Sequence, residues 1–248
     1  MRQVDAFARL KPSTGAASQP FDGGALVAFG PGRYVNRAMG LGLGDVPPGT
    51  TVRTLVEFYA ARALPPSLEV CPWVDGAFLT ALGGAGFRTE RFRSVFAHDL
   101  RELPAVRGAD IRPLSTAAAD DRKEILADGA LIGSEARAVS DEYCDAAALV
   151  PGTHDLVAIV DGSVAACGSL NVVETEDGTG GYIGGAATLP SRRGLGLQSA
   201  LVAHRLGLAR SAGCDFVVAT ALPDGQSARN LERLGFMQLY TQAVMTLP

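Results

Sequence analysis

The sequence predicts an α/β fold of the mixed, α+β kind, and three observations carry that prediction. Apolar, strand-like runs alternate with helix-spaced segments along most of the chain. Asp161-Gly162 separates Leu156–Val160 from Val164–Val173, the pattern of a tight hairpin, so part of the sheet is antiparallel. Finally, Gly184 to Leu201 runs from a strand through a proline, two arginines and two glycines into a helix. That order makes an anion cradle: glycines bend the backbone and helical N–H groups point outward. A phosphate, and a pyrophosphate in particular, is the chemistry it fits.

Composition narrows the function classes. The chain has 248 residues, 47% hydrophobic and 19% charged, enough apolar material for a substantial core. Net charge is −4, and no dense Lys/Arg run supplies a nucleic-acid face. Four scattered cysteines without a C-x-x-C pair, and three histidines, give no metal-site spacing. The N-terminus lacks a signal-peptide pattern and no apolar run reaches membrane-spanning length. The expectation is a cytoplasmic protein with reduced thiols, no metal, and neither nucleic acid nor membrane as partner.

In order, residues 1–25 read as a loose lead-in with at most one edge strand. Ala25–Phe29 is strand-like and Pro31-Gly32 turns the chain. A glycine-rich segment, Gly40–Gly44, precedes a proline loop and a helix over Thr51–Ala63, with Val52, Leu55, Val56 and Tyr59 at helical spacing. Leu68–Cys71 and Arg91–Leu100 read as strands around a helix over Ala77–Gly84. A charged, proline-bearing joint at Leu100–Val106 divides the chain into domains 1–104 and 105–248. Beyond it come a strand at Asp110–Leu114, helices at about 116–127 and 138–148, the hairpin, a strand at Gly180–Leu189 and a helix at 197–212. Asp215–Thr220, Gln226–Arg233 and Phe236–Thr246 complete the pattern as strand, helix, strand.

The two halves repeat. Asp75-Gly76, Leu82 and Gly86-Phe87 recur as Asp224-Gly225, Leu231 and Gly235-Phe236, each set between apolar strands. The first copy is half a domain long. It lacks the paired arginines, and Asp45 and Pro47-Pro48 interrupt its glycine loop, so it reads as a degenerate scaffold.

In the second copy, Arg193-Gly194-Leu195-Gly196-Leu197-Gln198, followed later by Gly235-Phe236, resembles the Arg/Gln-x-x-Gly-x-Gly/Ala signature of the GNAT superfamily of N-acetyltransferases. The resemblance covers roughly residues 109–247 and implies a GNAT-like fold, tandem in type, with acetyl-CoA as acyl donor. Ala187, Thr188 and Leu189 would offer backbone groups to the pantetheine arm. Arg192, Arg193, Gly194, Leu195, Gly196, Leu197, Gln198 and Ser199 would hold the pyrophosphate, and Asp224 and Ser227 fall where the family faces its cofactor. A dinucleotide fingerprint would need glycine where Ser199 stands, and a Walker loop would need Gly-Lys-Ser/Thr.

Two departures concern catalysis. Leu231 stands where the family often has a thiol-protonating tyrosine. Regular alternation puts Gly181, Ile183 and Gly185 on the face of Ala187, none able to take a proton, and puts Tyr182 on the opposite face. Tyr240 and Glu135 are therefore the candidate catalytic residues, with Asp141 and Glu142 near Glu135. His204 reads as a packed structural histidine beside Leu197, Leu201 and Leu208. The expected function is transfer of an acetyl group to a small-molecule or peptide amine by direct attack in a ternary complex. The alternative is an acyl-CoA-binding regulatory module that has lost the chemistry.

Overall fold

The computed structural model describes residues 1–248 apart from 34, 107, 116–117 and 130–133; the side chains of 129 and 134–136 are also outside the described set. Contacts divide the chain into two units, Met1–Ser94 with Tyr240–Pro248, and Val95–Leu239. The chain passes from one to the other within β5 (Arg88–His98) and again within β11 (Met237–Thr246). The Leu100–Val106 joint thus lies inside the second unit.

The first unit carries α1 (Arg2–Leu10), β1 (Ala17–Phe21), β2 (Gly24–Ala28), β3 (Ala38–Met39), α2 (Pro48–Ala60), β4 (Ser67–Val70) and α3 (Gly76–Gly84). β1, β2 and β3 pair antiparallel in order, β3 runs parallel to β4, and β4 pairs antiparallel with β11 at Ala243–Thr246. Leu26, Leu41, Leu55, Tyr59, Leu68, Phe78 and Leu82 form its core. The buried Tyr59 hydroxyl donates to the Val27 carbonyl at 2.8 Å, so its polar end is satisfied. The expected loose lead-in is corrected here: residues 2–10 form a helix, because Val4 and Phe7 stack on one face and bury there. α2 starts at Pro48 rather than Thr51, with proline at its first position, where a missing N–H costs nothing.

The second unit adds β6 (Asp110–Pro113), α4 (Ala119–Gly129), α5 (Ser134–Ala147), β7 (Thr153–Val160), β8 (Ser163–Thr175), β9 (Gly178–Thr188), α6 (Leu197–Ser211), β10 (Phe216–Ala221) and α7 (Gln226–Arg233). Its strands lie in the order β6-β7-β8-β9-β10-β5. β6 through β9 pair antiparallel, and β9 runs parallel to β10. One face packs Leu170, Ile183, Val202 and Leu206 together, and the other packs Cys167 and Ala187 with Ile125 of α4.

The repeat is legible element by element. A displacement of 149 residues carries Pro48 of α2 onto Leu197 of α6, Ser67 of β4 onto Phe216 of β10, and Arg88 of β5 onto Met237 of β11. It also carries α3 onto α7 to within one residue.

Candidate functional site

Two features of β9 create the site. The first is where it leaves its parallel neighbour. Residues 180–182 pair with Phe216–Val218 of β10, and the ladder ends there. From Ile183 to Thr188 that edge of β9 is open. Leu189 donates its N–H to Ala165 on the far side at 3.0 Å, so strand alternation turns the N–H of Thr188 toward the open edge.

The second feature is a bulge. Ser169 of β8 pairs with Gly184, but Cys167 pairs with Ala187, so β9 carries one extra residue at Gly185-Ala186. Gly185 sits at φ +55°, and a Cβ on it would lie 3.0 Å from the Ser169 hydroxyl. The extra residue reverses the alternation. Ala187 therefore packs on the α4 face, whereas Ile183 packs on the opposite face. The sequence expectation that Gly181 and Ile183 share the face of Ala187 is overturned, because that alternation holds only in an unbulged strand; Gly185, whose Cβ would meet the Ser169 hydroxyl and Arg122, does lie on that face. Tyr182 is the residue brought to the Ala187 face.

Tyr182 is placed with some care. Gly184 lacks the Cβ that would stand 2.9 Å from Tyr182 Cε1, so the ring lies along the strand over Gly184, toward the bulge. Its hydroxyl is 3.5 Å from Thr220 Oγ1 on β10, across the point where the strands part.

The cleft lies beyond this point. Its volume is about 590 Å³, and its walls are Ala186, Ala187, Thr188, Arg192, Arg193, Gly194, Gly196, Leu197, Gln198, Ser199, Gln226, Ser227 and Asn230. Gly194 and Gly196 take φ of +80° and +76°, and nothing stands within 4 Å of where their Cβ atoms would be. Both the left-handed backbone and the open space suit close approach of a ligand. α6 then starts at Leu197, and helix geometry leaves the N–H groups of its first turn without intrahelical acceptors. Gln198 Oε1 is buried with no hydrogen-bond partner among the described residues. Arg192 is ion-paired to Asp161 at 2.8 Å, so it does not bring a full unpaired charge.

Ten of the thirteen predicted cofactor residues line this cleft. Leu189, Leu195 and Asp224 do not: the N–H of Leu189 is spent within the sheet, Leu195 is exposed at the loop tip, and the Asp224 carbonyl accepts from Arg229. Ala186, Gln226 and Asn230 are additions; the last two share one face of α7 with a 2.8 Å hydrogen bond between them. Tyr240 belongs to the first unit, stacked edge-on against Trp73 with ring centroids 4.6 Å apart, and does not line the cleft. Glu135 lies on α5, its side chain outside the described residues. Leu231 is a buried core residue. His204, expected to be packed, is exposed, and the buried polar residue of α6 is its neighbour Arg205.

The matching loop of the first copy is filled by the chain itself. Asp22 is buried, and its carboxylate accepts from the Gly42 and Val46 N–H groups and from the Thr51 hydroxyl at 2.6 Å. Pro47 and Pro48, at the N-cap and first position of α2, bring no N–H. An internal anion occupies the loop that in the second copy is open.

A family model described as "Acetyltransferase (GNAT) family" matches residues 123–236. Residues 123–236 are thus similar to the GNAT family. A search of curated proteins gave no match. Among solved structures, a GCN5-related N-acetyltransferase from Kribbella flavida is similar with a TM-score of 0.71 at 16% identity, covering 100% of this chain and 96% of that one. One from Sphaerobacter thermophilus has a TM-score of 0.60 at 17% identity, over 99% and 91%. A tandem GNAT protein from the clavulanic acid biosynthesis pathway has 0.64 at 16% identity, over 90% and 78%. The GNAT fold is therefore shared, and the strand-to-helix loop lies within the segment that the family model matches.

Proposed function

We propose that the protein is an acetyl-CoA-dependent N-acetyltransferase whose acyl donor binds along the open edge of β9 and into the loop before α6. The observation that supports this most is the coincidence in one cleft of an open strand edge, a helix N-terminus behind two left-handed glycines, and Arg193. The pyrophosphate meets the first turn of α6, with Gln198 and Ser199, and the pantetheine amides meet Thr188 and its neighbours. The open Cβ positions of Gly194 and Gly196 suit this fit.

The reaction is direct. A neutral amine attacks the thioester carbonyl, the C–N bond forms and the C–S bond breaks. The amine gives up a proton and the sulfur leaves as a thiol after gaining one. Backbone N–H groups at the bulge polarise the carbonyl. Tyr182 takes the role of acid toward the sulfur, in place of the tyrosine absent at Leu231, because its hydroxyl stands where β9 and β10 separate. A general base on this chain is not required when the acceptor arrives unprotonated and water carries its proton away.

The test is release of CoA from acetyl-CoA, followed chromatographically over a panel of amines of small-molecule and peptide type. Turnover with at least one amine class, reduced about tenfold to a hundredfold by Tyr182→Phe, is the expected result. Tight acetyl-CoA binding without turnover on any amine would instead identify a binding module.

A further inference from the structure

We propose that Arg205, buried behind the sheet, is a positioning residue for acyl transfer: its guanidinium fixes the β9 bulge and adds positive potential behind the N–H groups that polarise the thioester. The inference rests on the acetyltransferase reading and extends it to a residue that does not line the cleft.

Arg205 is 1% exposed, on the face of α6 turned to the sheet. A buried guanidinium is costly unless it is paired, yet none of the described carboxylates is paired with it. Nε donates to Leu201 O one turn back in its own helix, at 3.0 Å. Nη1 reaches into the sheet, 3.2 Å from Ser169 O and 3.3 Å from Gly184 O. Ser169 and Gly184 are the last register pair before the bulge. The cation is thus aimed at the two carbonyls where the ladder is about to break, and it supplies the donor that the broken ladder cannot.

The sheet is shaped to admit it. Gly168 stands opposite the bulge, and a Cβ there would lie 2.9 Å from Arg205 Cζ. On the other face Arg122 and Ser169 close the bulge from beneath: Arg122 donates to Ser169 Oγ at 3.0 Å, Ser169 Oγ donates to Asp155, and Arg122 is ion-paired to Asp155 at 3.0 Å. That second cluster carries its own counter-charge; Arg205 does not. Desolvation pushes the Arg205 pKa down to about 10, so it remains a cation at neutral pH. An uncompensated positive charge held in the strand layer lowers the energy of negative charge developing on a thioester carbonyl oxygen that the bulge N–H groups hold.

The experiment reads the carbonyl rather than turnover, so no acceptor is needed. Acetyl-CoA labelled with carbon-13 at the thioester carbonyl is bound to the protein, and its stretching band is measured by isotope-edited infrared difference spectroscopy. Wild type should shift the band to lower frequency. Arg205→Met should bind acetyl-CoA within about threefold of wild type yet lose most of that shift, and Arg205→Lys, with charge but no planar fork, should retain part of it. Should Arg205→Met fail to fold, Gly168→Ala displaces the same guanidinium and is expected to weaken the shift likewise. A full shift in folded Arg205→Met, or in Gly168→Ala where Arg205→Met does not fold, overturns the role. Failure of wild type to bind acetyl-CoA overturns the acetyltransferase reading, and this role with it.

Discussion

At the scale of single residues, the second unit is marked by polar groups buried for definite reasons. His98 is 3% exposed, its Nδ1 accepts from the Leu100 N–H at 3.0 Å, and its ring meets Phe236 edge-on. A Cβ on Gly235 would stand 3.1 Å from His98 Nε2, and Gly235 has φ +87°. The Gly235-Phe236 pair visible in the sequence is thus one half of a lock whose other half, His98, had no sequence signal. Burial lowers the His98 pKa from its ordinary value, ahead of the raising effects of Asp99 and the Leu234 carbonyl. The unfolded chain therefore takes up a proton first as pH falls through about 6.5, and the stability His98 holds above that pH is lost below it. Thermal melts at pH 7 and pH 5 should show a drop in Tm that shrinks in His98→Asn. An unchanged drop would mean that other groups set the acid sensitivity.

At the scale of elements, the sequence revealed order and type better than register. Every major strand and helix from Leu68 onward is where its periodicity put it, because alternation and helical spacing report which side of an element is buried. The bulge was invisible, since a single inserted residue at Gly185-Ala186 looks like ordinary strand sequence. It nevertheless decides which side chains share a face, exchanging Ile183 for Tyr182 on the face of Ala187. The loops show the same contrast. The glycine spacing of the second copy was legible as an anion cradle. The closure of the first was not, because its plug, Asp22, lies 20 residues before Gly42. Asp22 has φ +50°, which Asn tolerates as well, so Asp22→Asn isolates the lost charge and acceptor. Urea unfolding should show a loss of about 1–2 kcal/mol for that variant. No loss would mean that the carboxylate does not hold the loop together.

At the scale of the whole molecule, duplication has left two copies of one strand–loop–helix design with opposite fates. The first closed its loop with a carboxylate and two prolines; the second kept left-handed glycines, a free helix N-terminus and an open strand edge. The fold class and the anion loop could be read because they depend on local pattern. The proposed acid could not, because it depends on which strands meet and part: Tyr182 acquires its place from a bulge and from Thr220, 38 positions away. Under the proposed function, the open copy and not the closed one takes acetyl-CoA. Isothermal titration of the full chain with acetyl-CoA tests it directly. The predicted result is about one site per chain, abolished by Arg193→Glu combined with Gly196→Asp. No binding by the wild-type chain, or binding that survives the double substitution, would contradict it.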